Sequence, residues 1–369
     1  MRRACILALL LLAMAGCRRP FQVVTSNKIC STVPVSLRSA TIPVAVSLDD
    51  TPVRVETGTF PIKDDSPLTE MFIGLSGAEA PGAQAKLALV DVDGLLLNKN
   101  ATGVMSAGEN PVALFREKLD AIASDRNYQG VVLRINSPGG GVTASDIMRR
   151  DLIDFKTRTG LPVVACLMDV GAGGAYYIAT AADQIVAHPT SLVGGIGVIL
   201  NLYDLEDTLG VASIVGVPIK AGDNTDLGSP IRRISPESRE LLQEIADGFH
   251  DRFRNSVLQS RRQVDSGDES LFDGRVLPAE RALAVGLVDR IAYLDDALNL
   301  GRELAASPGA AVVLLHRKKD QARTPYDVTP NTPLQKSLFP HISGVERNHL
   351  PTFMYIWQPD PAIETSLGG

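Results

Sequence analysis

This sequence predicts an α/β fold with a mostly parallel sheet, and three observations carry that prediction. From Lys86 onward, apolar strand-like runs alternate with stretches of helical apolar spacing, the rhythm of strand–helix–strand crossovers. Two of those runs end in glycine-rich turns, at 136–141 and 169–174, and each turn leads straight into a helical pattern. A length of 369 residues with 45% hydrophobic content leaves ample material for a large core.

The elements follow in order. Residues 18–84 mix short Val/Ile/Leu runs with Thr, Ser, Pro and Asp, which predicts a few strands in a lead-in segment, with Gly77–Gly82 as linker. A strand is expected at 86–92 and a helix at 111–124, where Val112, Phe115, Leu119 and Ile122 recur at helical spacing. Next come a strand at 130–135, a helix at 143–156 and a strand at 162–168. A helix to about Ala182 and strands at 184–187 and 195–200 follow. A short helix at 202–209 precedes a β-branched run at 212–219 that reads as a strand. Residues 236–262 form a long amphipathic pattern through Leu241, Leu242, Ile245, Phe249, Phe253 and Val257. Shorter helices are expected at 278–285 and 294–306. The Pro- and Asn-rich stretch from Gln321 is expected to pack loosely, with Phe353–Trp357 as a segment able to dock back. The domain organisation is therefore a leader over 1–16, a lead-in over 17–84, a main domain over 85–305, and a final strand with its tail over 306–369.

The leader has its own chemistry. Arg2 and Arg3 precede an apolar run of ten residues, Ile6–Ala15, about half of the ~20 residues a membrane-spanning helix needs. Ala13-Met14-Ala15-Gly16-Cys17 resembles a bacterial lipobox, which implies cleavage before Cys17, lipidation of its thiol and an exported, membrane-attached protein. Removing the two arginines with the leader takes the formal net charge from -6 to -8.

Composition excludes several function classes. Lys and Arg total 36 against 42 acidic residues, with no basic stripe interleaved with aromatics, so no nucleic-acid partner is expected. The five histidines are scattered and no CxxC or HExxH spacing occurs, so neither a metal nor a cofactor is expected. Cys166 lies in an apolar strand and reads as a buried free thiol.

Ser137-Pro138-Gly139-Gly140-Gly141 closes a strand and opens a helix, where backbone N–H groups lack intrahelical partners and favour negative charge. Such a turn serves as an oxyanion hole, as a phosphate or carboxylate cradle, or simply as a tight turn. The second glycine-rich turn runs from Asp169 into Gly173-Gly174-Ala175-Tyr176-Tyr177-Ile178-Ala179. Tyr176 and Tyr177 are expected to pack its helix on the sheet, and Asp183 to pin the strand that follows.

These two turns, with Gly194-Gly195-Ile196-Gly197-Val198, Phe272-Asp273-Gly274-Arg275 and Gly286-Leu287-Val288-Asp289, strongly resemble the signal peptide peptidase family, the S49 serine peptidases, over roughly residues 85–305. The resemblance implies the Clp protease/crotonase-like superhelix of ββα units. It also implies assembly into homo-oligomers, or hetero-oligomers with an active paralogue, around a bowl for extended apolar peptides and signal-peptide remnants at a membrane. It places the oxyanion hole at Gly139 and Gly140. Family members use a Ser–Lys dyad, in which a buried neutral lysine removes the serine proton. Here the nucleophile column falls on Gly173 and the base column on Thr225, while Gly195 stands where the family has serine.

Losing a serine nucleophile costs on the order of 10^6 in turnover, or about 8 kcal/mol of barrier. Lys220 occurs beside the true base in the family and Ser137 belongs to the oxyanion turn. Ser229, Ser235 and Thr180 have no positioned base or lie too far along the chain. The expected function is thus a membrane-anchored peptidase homologue, catalytically impaired, that binds peptides or serves as an oligomer subunit. The alternatives are an active peptidase with a relocated nucleophile and, more remotely, a crotonase-like acyl-thioester enzyme, for which neither turn offers a glutamate.

Overall fold

A computed structural model of the chain describes residues 21–25, 28–33, 44–48, 51–55, 66–73, 85–100, 109–317, 324–326 and 353–357. The leader and Cys17 lie outside the described residues. The chain falls into two compact units, Met1–Lys63 and Asp64–Gly369. In the first, β1 (Phe21–Thr25) pairs antiparallel with β2 (Lys28–Val33), and β3 (Val44–Leu48) with β4 (Thr51–Val55).

The second unit opens with β5 (Thr69–Ile73), which the sequence reading had assigned to the lead-in. β6 (Lys86–Leu96), helix α1 (Pro111–Ser124), β7 (Tyr128–Gly141), α2 (Val142–Thr159), β8 (Val163–Ala172) and α3 (Gly174–Ala179) then give the expected alternation. After β9 (Gln184–Ala187) and β10 (Leu192–Gly194) come α4 (Glu206–Val211) and the long α5 (Pro236–Ser260). β11 (Val276–Pro278), α6 (Ala279–Ala284), β12 (Arg290–Ile291), α7 (Leu294–Leu304), β13 (Ala311–His316) and β14 (Met354–Ile356) complete the order. Local chemistry sets the helix starts. The Asn110 side chain accepts from the N–H groups of Val112 and Ala113 ahead of Pro111. Ser235 does the same for α5 ahead of Pro236, and Gly160, at φ +69°, ends α2 in a left-handed cap.

The main sheet runs β11-β10-β8-β7-β6-β13-β5, with β9 and β14 joining β8 and β7 off this path and β12 paired to β9. The pairs linking β13, β6, β7, β8, β9, β10 and β12 are all parallel, while β5, β11 and β14 join antiparallel. Alternation splits the sheet's side chains between two cores. Val131, Leu133 and Ile135 face one with Phe115, Leu119 and Leu152, whereas Val132, Leu87, Leu89 and Val164 face the other with Leu294 and Leu298 of α7. On the α7 face, Arg134 of β7 and Asp91 of β6 stand opposite each other in register. They form a buried ion pair, and Arg134 also donates to the Pro325 carbonyl. The free thiol of Cys166 is buried on the same face, as expected.

One splitting of the sheet positions everything that follows. β8 pairs with β7 from Val163 to Gly171, with β9 along its first half and with β10 along its last three residues. Its end therefore turns toward β10 and leaves β7 beyond Ser137 without β8 as a neighbour. Gly139 and Gly140 keep β6 on one side, and residues 139–141 take β14 on the other.

Three sequence expectations need correction. The strand expected at 195–200 is Leu192–Gly194, because Gly194 and Gly195, both at positive φ, turn the chain out of the ladder. The run at 212–219 is not a strand: Val215, Val217 and Ile219 are exposed, and no strand lies beside them among the described residues to accept a ladder. The short helix expected at 202–209 begins later, at Glu206.

Candidate functional site

The two glycine-rich turns meet where β8 leaves β7. Gly173 links β8 to α3 at φ +54° and ψ −127°, a conformation that L side chains adopt only under strain, and its N–H donates to the Gly194 carbonyl at 2.9 Å. Facing it, Gly139 has φ +108°, and a Cβ there would come within 2.6 Å of the Gly174 nitrogen. Close approach of the two backbones thus requires glycine at both positions. Ser137, fully buried, accepts the Gly139 N–H on its Oγ at 3.1 Å, so this donor of the expected oxyanion hole is already engaged.

β14 lies in the resulting cleft. Met354, Tyr355 and Ile356 pair antiparallel with Gly141, Gly140 and Gly139. The Val142 N–H donates to the Phe353 carbonyl at 3.1 Å, and the Trp357 N–H to the Pro138 carbonyl at 2.9 Å. On the other side, Ile199 and Met354 exchange both backbone hydrogen bonds, at 2.9 and 3.0 Å. The segment is therefore hydrogen-bonded along both edges. The Tyr355 ring fills a socket made by Phe253 and Tyr177, with centroids 4.8 and 5.3 Å away, and its hydroxyl donates to the Phe249 carbonyl at 2.7 Å. Burial raises the pKa of that phenol, keeping it protonated and a donor. The Tyr355 carbonyl points at the glycine pair. A Cβ on Gly173 would overlap its oxygen and sit 2.7 Å from its carbon.

The hydroxyl and amine groups that the sequence offered are, among the described residues, engaged elsewhere. The buried Ser145 hydroxyl, not anticipated from the sequence, packs beneath Gly174 but donates to the Gly141 carbonyl at 3.0 Å, the back-bond of a first-turn serine. Thr225 sits on an exposed turn, its hydroxyl bound to the Ala221 and Gly222 carbonyls, each at 2.9 Å. Lys220 bonds the Asp223 carbonyl at 2.6 Å and Asp226 within the same turn, and Asp226 also pairs with Arg232 of the same chain. Among the described residues no hydrogen bond joins this turn to Gly173. The Thr180 hydroxyl is likewise held, by Arg149 and the Tyr177 carbonyl. Ser235 caps α5, and Ser229 lies near the exposed turn.

The model of Peptidase family S49 matches residues 156–307, which include Gly173 and Thr225. A putative protease of Synechocystis is 30% identical over 204 residues, covering 55% of this chain and 72% of its own. The chain belongs to peptidase family S49. A putative signal peptide peptidase SppA of Enterococcus faecium is 29% identical over 221 residues, 60% of this chain and 64% of that protein. This S49 chain therefore spans just under two thirds of the Enterococcus relative, and it is a signal peptide peptidase-like protein. Among solved structures, a membrane-bound stomatin-specific protease in complex with a substrate peptide aligns with a TM-score of 0.36 at 14% identity, over 59% of this chain and 80% of its own.

Two expectations about single residues in the S49 domain change. Tyr176 packs inward as expected, its hydroxyl donating to the Leu287 carbonyl at 2.7 Å, but Tyr177 also forms a wall of the cleft. Its own hydroxyl donates to Asp146, which Arg252 pairs from α5. Asp183 pins the start of β8 rather than the strand after the helix, accepting the Val163 N–H at 2.8 Å. Among the described residues no helix is long and apolar enough to cross a membrane, and no group of acidic, His and Cys residues is arranged to hold a metal.

Proposed function

We propose that this S49 chain holds extended apolar peptides in its cleft without cleaving them, as a catalytically silent member of an envelope peptidase system. The observation that carries the reading is the pairing of a backbone edge that holds an extended strand with an absent nucleophile. The β7 edge at Gly139–Gly141 binds backbone in extended form, while Gly173 carries no side chain and Thr225 is spent on its own turn. What remains after loss of a nucleophile and its base is binding and polarisation, worth at most a residual 10^3–10^4 over water. Anchoring through a lipidated Cys17 places the protein on the extracytoplasmic side of a membrane, where its partners are a second copy or an active paralogue.

A fluorophosphonate probe tests the reading on the full chain. No serine labels in the wild type, and Gly173→Ser combined with Thr225→Lys, in a Tyr355→Ala background that frees the space a Cβ at 173 needs, gains labelling and some cleavage of a hydrophobic peptide. Stoichiometric labelling of any serine in the unaltered protein would mean a relocated nucleophile and would end the proposal.

A further inference from the structure

β14 differs in kind from its neighbours. β7 lies parallel to both β6 and β8, the product of winding, whereas β14 runs antiparallel to it and occupies only the stretch that β8 has vacated. It is three residues long, yet it satisfies backbone groups on two edges at once, those of 138–142 and that of Ile199. This is how an added peptide strand is recognised: main-chain hydrogen bonds hold it, and alternate side chains enter pockets. The side chains follow that rule. Tyr355 is fully enclosed, its ring between Phe253 and Tyr177 and its hydroxyl on the Phe249 carbonyl, and aliphatic Met354 and Ile356 are buried on either side. Phe353 lies against Phe249, and a Cβ on Gly195 would touch the Trp357 Cβ at 3.3 Å. No residue from Phe353 to Trp357 carries a charge. The Tyr355 carbonyl lies against the glycine pair, and it fits there only because residues 139 and 173 have no Cβ.

We propose that β14 is a resident ligand of this cleft, bound in cis, and that the cleft's ligand class is an uncharged extended segment with a tyrosine between aliphatic residues. The inference rests on the peptide-holding reading above and specifies its ligand. Other peptides enter by displacing β14. A tethered segment competes at an effective concentration that free peptide must exceed, so free peptide meets a largely occupied site. The carbonyl acceptor at Phe249 makes the tyrosine hydroxyl a selection element, since a neutral hydrogen bond contributes about fivefold in affinity.

The test uses the full chain with a fluorescein-labelled Phe-Met-Tyr-Ile-Trp peptide, read by polarisation, alongside hydrogen exchange at the Ile199, Met354 and Trp357 amides. In the wild type those amides are protected independently of protein concentration. Tyr355→Ala loses the protection and binds the probe at least tenfold more tightly. Tyr355→Phe, which keeps the packing, gives a smaller gain of a few fold, and a probe with phenylalanine in place of tyrosine binds about fivefold more weakly. Equal probe affinity in wild type and both variants would leave the peptide-holding reading standing and overturn the resident-ligand inference. Release of β14 in Tyr355→Ala with no probe bound by any variant would overturn both. Protection that grows with protein concentration would assign the strand to a second copy and overturn the cis assignment.

Discussion

Adding a single methyl group at position 173 measures how closely β14 lies on the glycine turn. Gly173→Ala meets two costs. Its backbone, at φ +54° and ψ −127°, is sparsely populated for L residues, a cost of about 1–3 kcal/mol. Its Cβ also overlaps the Tyr355 carbonyl, so β14 must shift or leave, forfeiting at most the ~3–5 kcal/mol that enclosing a large aromatic side chain contributes. Gly160→Ala supplies the control. Gly160 has φ +69° and an added Cβ meets nothing within 4 Å, so it reports left-handed strain alone, about 1–2 kcal/mol. With roughly 2–4 °C in Tm per kcal/mol for a domain of this scale, Gly173→Ala melts on the order of 10 °C below Gly160→Ala. Thermal unfolding followed by circular dichroism reads the difference. In a Tyr355→Ala background most of the excess disappears, because the strand it collides with is already released. A small part persists, from the Pro138 carbonyl 2.9 Å from the new Cβ. If the two glycine variants lose the same stability in the parent chain, β14 does not lie over Gly173 in solution and the cleft geometry described above is wrong.

Two further outcomes follow from the opposite face of the sheet. Arg134→Ala takes the guanidinium from the buried Asp91 carboxylate and lowers unfolding free energy by about 3–5 kcal/mol in chemical denaturation, whereas Arg134→Met with Asp91→Leu recovers most of it; equal losses in both would contradict a buried pair. Burial pushes the Cys166 thiol up to about 12, so at pH 8 its thiolate fraction is roughly 10^-4. Maleimide labelling mapped to Cys166 is therefore negligible in the native protein and rapid in guanidinium, and ready native labelling at pH 8 would refute the enclosed environment.

The elements legible in the sequence are those whose partners are local or whose signal is strong. Helix α1 falls on the expected 111–124, where apolar spacing agrees with a start at Pro111. The runs in β6, β7 and β8 are apolar on both faces and found their places, and glycine at 139, 140 and 173 marked the turns that meet. What the sequence could not show depends on distant neighbours. The β-branched run at 212–219 has strand composition but no ladder to join, and such composition gives no strand without an edge beside it. Docking of Phe353–Trp357 was foreseen only as an ability. Its address, the β7 edge at 139–141, is exposed by the departure of β8 at Gly171, a three-dimensional event with no local trace. For the same reason Tyr177 read more as packing than as a substrate contact, and Ser145 left no signal beyond its place in the first turn of α2.

The antiparallel seat of β14 also sets an order of events as the chain emerges, N-terminus first, where it folds. Every other described element of the second unit precedes it in the chain, so the wound sheet, both of its cores and the aromatic socket can form while the groove is still open. The pairings with β7 that close the groove join residues separated by more than half the sequence, the class of contact whose loop-closure entropy makes it slow to form. Each newly made molecule thus passes through a period with its binding edge bare, and during that period any extended segment nearby, from its own chain or another, competes for the place that β14 will take.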